Sequence, residues 1–374
     1  MKNSVPRGRG AALLPVLAAI LALAPAWAEE TPLFKIPPKY LEPDPELTGT
    51  AGRILSPEAE DLVRVGILYH DQGDYESAMG YYREALALSP DHPVICYEMA
   101  FSSLYMGDFQ GALELADQGI TAAKARGMDD LIPNLFDLKG SALDNLGRGE
   151  EAIEVYLSAI NVYGAANTFL YYNLGLSYYR IEKRDEARNA LIEGLLINPN
   201  HASGNYLLGR LCMEKGMKTQ GFYAFAYFLL LEPNTERAEE AYTAILAALT
   251  GQDETAGLQD NGSFTGADRV ISLSFTLDEE NKDKSDAEKT QAKLYHVFDT
   301  LGGQNDAEGT GYPAGDALWR DFYIPFFFKI AHSDYFGIFC RYIGLTADPG
   351  ADEWIENGRE EIEGFFGWLN GSLD

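Results

Sequence analysis

Between Ala59 and Thr235 apolar and polar residues alternate at helical spacing, in blocks that restart at a nearly constant interval. Gly66 is followed by Tyr69, Ala78, Tyr82, Ala85 and Pro90. Gly175 is followed in the same register by Tyr178, Ala187, Leu191, Gly194 and Pro199, and Gly209 by Cys212, Gly221, Phe225, Phe228 and Pro233. Two weaker copies are anchored at Ala100 and Gly140. The five anchors are 34, 40, 35 and 34 residues apart.

Each mark has a physical reason. A small residue in a first helix, with an Ala about twelve residues on, lets two helices approach closely. Tyr82, Leu191 and Phe225 are the knobs that fill the space between them. Pro90, Pro199 and Pro233 follow the second helix, where a missing N–H and a fixed φ stop it. Gly73, Gly107 and Gly216 open the turns inside the pairs. The period and its marks resemble the tetratricopeptide repeat (TPR), a helix-turn-helix unit. That resemblance implies an all-α fold: a right-handed α-α superhelix, followed here by a small, mainly helical C-terminal domain.

The expected organisation has five parts. Residues 1–28 resemble a secretory signal peptide: Lys2, Arg7 and Arg9 precede an apolar run, Ala11 to Ala24, and then Ala26-Trp27-Ala28. The run is shorter than the roughly 20 residues of a spanning helix. The mature chain, starting at Glu29, is therefore expected in the periplasm or secreted, with no transmembrane segment. Residues 29–56 are extended and proline-marked. The solenoid covers 57–250, with about five repeats and a capping helix, Glu236 to Leu249. Residues 251–267 read as a linker. Residues 268–374 form the aromatic-rich domain, opening with Ile271, Leu273, Phe275 and Leu277 in strand-like alternation. Ser285 and Glu288 form a capping box, Gly302 to Asp316 read as a loop, and Pro325 kinks or restarts a helix. The W-x2-FY-x-PFF and W-x10-FFxWL stretches resemble a helical module that follows TPR arrays in some exported bacterial proteins and implies no activity.

Net charge changes the picture of partners. It is −28, and losing the three basic residues of 1–28 takes it to −31. Such a surface disfavours nucleic acid and fits a neutral or cationic protein or peptide. Cys96, Cys212 and Cys340 read as small buried hydrophobes, with Cys96 and Cys212 too far apart in the repeat register for a disulfide.

First helices of a TPR array line its concave surface, and several here carry a second apolar stripe. Tyr172, Leu176 and Tyr179 form one, Tyr97, Phe101 and Leu104 another; Tyr206 with Met213 continues the row and Val63 with Ile67 precedes it. Asp137, Ser141 and Asp144 interrupt it, bordered by Arg180 and Arg210. The candidate peptide-binding groove is thus Tyr97, Phe101, Asp137, Asp144, Tyr172, Tyr179, Arg180, Tyr206 and Arg210, with aromatic anchors for affinity and charges for register. The Lys/Asn carboxylate clamp of some TPR domains is missing at these places. One alternative is that the N-terminal segment or the C-terminal domain fills the groove. Another is a cell-envelope hydrolase in which Asp306, Glu308, His332 and Asp334 act as acid and base. The five histidines show no metal-site spacing, and no phosphate loop or nucleophile elbow appears. The expectation is therefore a scaffold rather than an enzyme, with no cofactor and no metal.

Overall fold

A computed structural model describes residues 55–163, 167–250, 264–305 and 317–372. All regular structure among them is helical, as the repeat pattern requires. The residues divide into two compact units between Asn198 and Pro199.

The first unit contains four helix pairs. They are α1 (Pro57–Asp71) with α2 (Tyr75–Leu88), α3 (Pro93–Met106) with α4 (Phe109–Arg126), α5 (Ile132–Asn145) with α6 (Gly149–Tyr163), and α7 (Thr168–Arg180) with α8 (Arg184–Ile197). Local chemistry starts them: Ser56, Asp74, Asp108 and Asn167 each accept a hydrogen bond from a backbone N–H in the first turn. The turn inside each pair falls seven residues after the anchor, and Gly73, Gly107 and Gly147 adopt positive φ there. The fourth pair puts Glu182 at that place, with φ 62°.

The anchors do what their spacing implies. A Cβ on Gly66 would sit 2.3 Å from the Tyr82 ring, and one on Gly175 2.9 Å from Leu191. Ala100 is an anchor that already carries a Cβ, and the knob position sixteen residues on is also small, Ala116. Small against large, or small against small, keeps helix separation constant along the array.

The second unit holds α9 (Ala202–Glu214), α10 (Lys218–Leu231), α11 (Glu236–Thr250) and the C-terminal helices. These are α12 (Thr265–Leu273), α13 (Leu277–Glu280), α14 (Asp286–Asn305), a π-helix (Leu318–Tyr323), α15 (Ile324–Ala331), α16 (Phe336–Ile343), α17 (Ala351–Asn357) and α18 (Arg359–Ser372). The α10 sequence is apolar all round, and the helix is buried from Lys218 to Leu230. Tyr223 packs on Phe298 and Phe327, with centroids 5.7 and 5.6 Å away, and Tyr227 on Phe322 and Phe326 at 5.1 Å each. Polar ties fix the register. Asp268 Oδ1 accepts from both the Thr219 N–H and its hydroxyl at 2.7 Å, Trp319 Nε1 donates to Gln220 O, and the Tyr323 hydroxyl donates to Asn205 Oδ1.

Three expectations meet a different outcome here. The stretch from Ile271 to Leu277 is helical, not a strand. Leu273 and Phe275 are 57% and 44% exposed, so alternation never marked one buried face; of the four apolar residues only Ile271 is buried, together with the polar Ser274. Of the expected linker, 251–263 lie outside the described residues; beyond it the core does not restart but continues from α10, so the unit boundary falls before the fifth repeat. The loop expected from Gly302 begins later, because α14 runs on to Asn305. The Ser285–Glu288 capping box forms as read, with Ser285 N donating to Glu288 Oε2 at 2.9 Å. Pro325 restarts a helix behind a π-turn. It has no N–H to offer, and the N–H of Ile324 reaches five residues back to Trp319 O.

Candidate functional site

In the first unit the candidate groove belongs to α1, α3, α5 and α7. The residues singled out from sequence divide into four groups.

Tyr97 and Phe101 on α3 are buried, at 1% and 8% exposure, rather than presented to solvent. The Phe101 ring stacks on His70 at 4.6 Å and meets Tyr105 edge-on at 5.0 Å. Burial lowers the His70 pKa, which favours a neutral ring, and its Nδ1 lies 2.8 Å from Ser102 Oγ.

Asp137, Asp144 and Arg180 bind the repeats to one another. Asp137 Oδ1 accepts from Asn173 Nδ2 at 2.6 Å, and burial pushes its carboxyl up to about 6. Asp144 Oδ2 accepts from the Ser177 hydroxyl at 2.5 Å and lies 3.5 Å from the Arg180 guanidinium. Burial raises the Asp144 pKa, while Ser177 and Arg180 pull it back. These charges tie α5 to α7, so they are not simply displayed to a partner. The sequence reading missed His70, Ser102, Asn173 and Ser177, the other ends of these bonds. A signal was there: the pairs are 32, 36 and 33 residues apart, about one repeat, so scanning for polar pairs at that offset finds them.

Tyr172 and Leu176 on α7 are half-buried, as are Ile67 on α1 and Leu104 on α3. Tyr179 is half-buried too, but the Arg184 guanidinium covers its ring at 4.0 Å and donates to its backbone carbonyl.

Tyr206 and Arg210 lie on α9, in the second unit. The Tyr206 hydroxyl donates to Glu240 Oε2 at 2.5 Å, and Arg210 Nε is 3.4 Å from Glu240 Oε1. Burial and the Glu240 carboxylate push the Tyr206 phenol up to about 12. Glu240 on α11, 34 residues after Tyr206, continues the one-repeat offset.

Of the acid–base set considered for the C-terminal region, His332 and Asp334 are among the described residues, and both border one hollow. Asp306 and Glu308 lie outside them. His332 has both ring nitrogens engaged, Nε2 at 3.1 Å from Asp299 Oδ1 and Nδ1 at 2.9 Å from Phe328 O. The hollow is about 480 Å³, with Phe328, Tyr335 and Trp368 also on its wall. Among the described residues no three His, Cys, Asp or Glu side chains could hold a metal ion.

Comparison with known proteins agrees with the helix pairs. The tetratricopeptide repeat matches residues 69–126 and 170–201. The chain carries tetratricopeptide repeats. A TPR repeat-containing protein of Halalkalibacterium halodurans is 28% identical over 159 residues, 42% of this chain and 67% of the relative. Another, from Methanocaldococcus jannaschii, is 25% identical over 38% of this chain, so the match spans under a third (30%) of that relative's length. Among solved structures, a thermophilic TPR protein of Thermus thermophilus is similar at 22% identity and TM-score 0.43, over 50% of this chain and 99% of that one. PilW, a type IV pilus biogenesis factor, is similar at 14% identity and TM-score 0.44, over 64% and 99%. TPR proteins serve as protein-interaction scaffolds, and this chain shares their repeat.

Proposed function

We propose that this chain is an exported TPR scaffold that binds a polypeptide in its concave groove. The observation that carries this reading is the half-buried apolar surface of α7, Tyr172 and Leu176, beside the Asp144–Arg180 ion pair. A helix apolar on two faces buries one against its neighbours, and the other suits an extended or helical peptide. Aromatic anchors supply affinity there, and the ion pair at the edge discriminates partners by charge. With a net charge of −28, a neutral or cationic protein partner is favoured and nucleic acid is not. The basic, apolar and small-residue order of residues 1–28 supports export, cleavage after Ala28, and a periplasmic or secreted location. Binding needs no cofactor and no catalytic residue.

The test replaces Tyr172 and Tyr179 by Ala, captures partners from an envelope extract and melts the protein alongside. Loss of capture by about 2 kcal/mol or more with a small change in the melt supports the groove. A melt that collapses, or capture that is untouched, removes it. N-terminal sequencing of the exported protein tests the location: a chain that keeps Met1 would contradict it.

A further inference from the structure

The turn between α15 and α16 reads His332-Ser333-Asp334-Tyr335 and walls the hollow of about 480 Å³ in the second unit. That volume falls in the range of small-molecule sites, roughly 300–1,000 Å³. Hydrogen bonds fix the turn. Ser333 Oγ donates to Ile330 O at 2.7 Å and accepts from the Tyr335 N–H at 3.2 Å, which sets where the Tyr335 side chain leaves the backbone. The Tyr335 ring lies 5.6 Å from Trp368 on α18, and both rest on Phe365, at 6.0 and 6.4 Å. Phe365 is fully buried and backs the pair from the core, while Tyr335 and Trp368 themselves stay half-exposed. On another side the His332 ring packs on Phe328 at 4.2 Å, with Nε2 and Nδ1 turned to oxygens of Asp299 and Phe328. The walls are therefore set before a ligand arrives, which lowers the ordering cost of binding.

We propose that this hollow is a saccharide-binding site. The Tyr335 and Trp368 rings receive the apolar C–H face of a pyranose, and the exposed Asp334 carboxylate accepts hydrogen bonds from its hydroxyls. The site belongs to the second unit alone and goes beyond the groove of α7.

The lining decides the ligand class. A wholly apolar ligand would cover Ser333 and Asp334 without bonding them, at a cost in desolvation. A phosphate or another anion would meet Asp334 in a chain of net charge −28. A cation would suit the aromatic faces but would share the hollow with the Lys329 ammonium. A neutral ring with one apolar face and a hydroxylated edge satisfies both kinds of wall. Its hydroxyls donate to the carboxylate, whose two oxygens offer about four acceptor sites. Binding rather than cleavage follows from the carboxylate inventory. Glycoside hydrolysis uses a pair of carboxyl groups flanking the bond, and among the described residues Asp334 is the one carboxylate lining the hollow. A pyranose reaches such a site in a free oligosaccharide or in a glycan polymer, with the same chemistry.

The test exposes the full chain to an array of neutral oligosaccharides and to insoluble cellulose and chitin, then titrates it by calorimetry with the best soluble hit. Spermidine and pyrophosphate serve as cationic and anionic probes. Binding to a soluble oligosaccharide, or retention on a polymer alone, supports the site and tells the two sources apart. Trp368→Ala should weaken that binding roughly tenfold or more, and Trp368→Phe, which keeps an aromatic face, should restore most of it. Asp334 is exposed, so Asp334→Ala leaves the fold alone and keeps the test decisive where Trp368→Ala misfolds; it should also cost roughly tenfold. No binding to any saccharide overturns the proposal. So does binding that Asp334→Ala leaves unchanged, a loss in Trp368→Phe equal to that in a folded Trp368→Ala, or tighter binding of spermidine or pyrophosphate that Asp334→Ala alters.

Discussion

Gly140 and Tyr156 are in such close contact that a Cβ on the glycine would lie 2.4 Å from the tyrosine ring. The ring is fully buried and cannot swing away, and its hydroxyl is 3.3 Å from Ser141 Oγ. One missing methyl group thus sets the distance between α5 and α6. Gly140→Ala is expected to destabilise the protein by about 1–3 kcal/mol through overpacking. Chemical denaturation should show a lowered midpoint with little change in slope. A midpoint equal to the wild type would mean that the helices slide apart freely.

Glu182 occupies the turn place that Gly73, Gly107, Gly147 and Gly216 fill in the other repeats, and it adopts φ 62°. A left-handed conformation strains an L side chain by about 1–2 kcal/mol, partly offset by the larger entropy that glycine loses on folding. Glu182→Gly is therefore expected to stabilise the protein by roughly 0.5–1 kcal/mol. A thermal melt that moves down instead would show that the Glu182 side chain makes contacts worth more than the strain.

Stability should fall as pH rises from about 4.5 to about 8. Burial, with Asp71 nearby, raises Glu98 from 4.5 to about 8, and burial raises Asp137 from 3.8 to about 6. A carboxyl with a raised folded pKa favours the fold in its protonated form, so its contribution is fully present below the unfolded pKa and is lost through the folded one. Denaturation at pH 5 and pH 8.5 should differ, and Glu98→Gln should shrink the difference. A Gln variant with the same pH dependence as the parent would place the effect elsewhere.

Removing residues 264–374 should not yield a soluble solenoid. Phe222, Tyr223 and Tyr227 on α10 are buried against Phe298, Phe322, Phe326 and Phe327, and truncation would expose that whole face. Aggregation or strong binding of a hydrophobic dye is expected after truncation at Thr250. A monodisperse, cooperatively melting product would refute the shared core.

The pattern of small anchors, knobs, turn glycines and terminal prolines was enough to give the all-α repeat, its register and its turns. Those features act within one helix pair, so spacing along the chain encodes them directly. Sequence also gave the Ser285–Glu288 cap, another local device, and a second apolar stripe on α7 whose Tyr172 and Leu176 are half-buried. What it could not give was where side chains go once repeats stack. Asp137 and Asp144 read as partner contacts because their own helix shows no mate; Asn173 and Ser177 reach them only across a repeat boundary. Tyr97 and Phe101 are buried for reasons outside α3, and Ile271 to Leu277 alternate without forming a strand because the tertiary core accepts Ile271 and leaves Leu273 and Phe275 in solvent. The extent of the second unit was likewise decided in three dimensions: α10 is apolar all round, which demands a cover, but only packing decided that Phe298 and Phe327 supply it.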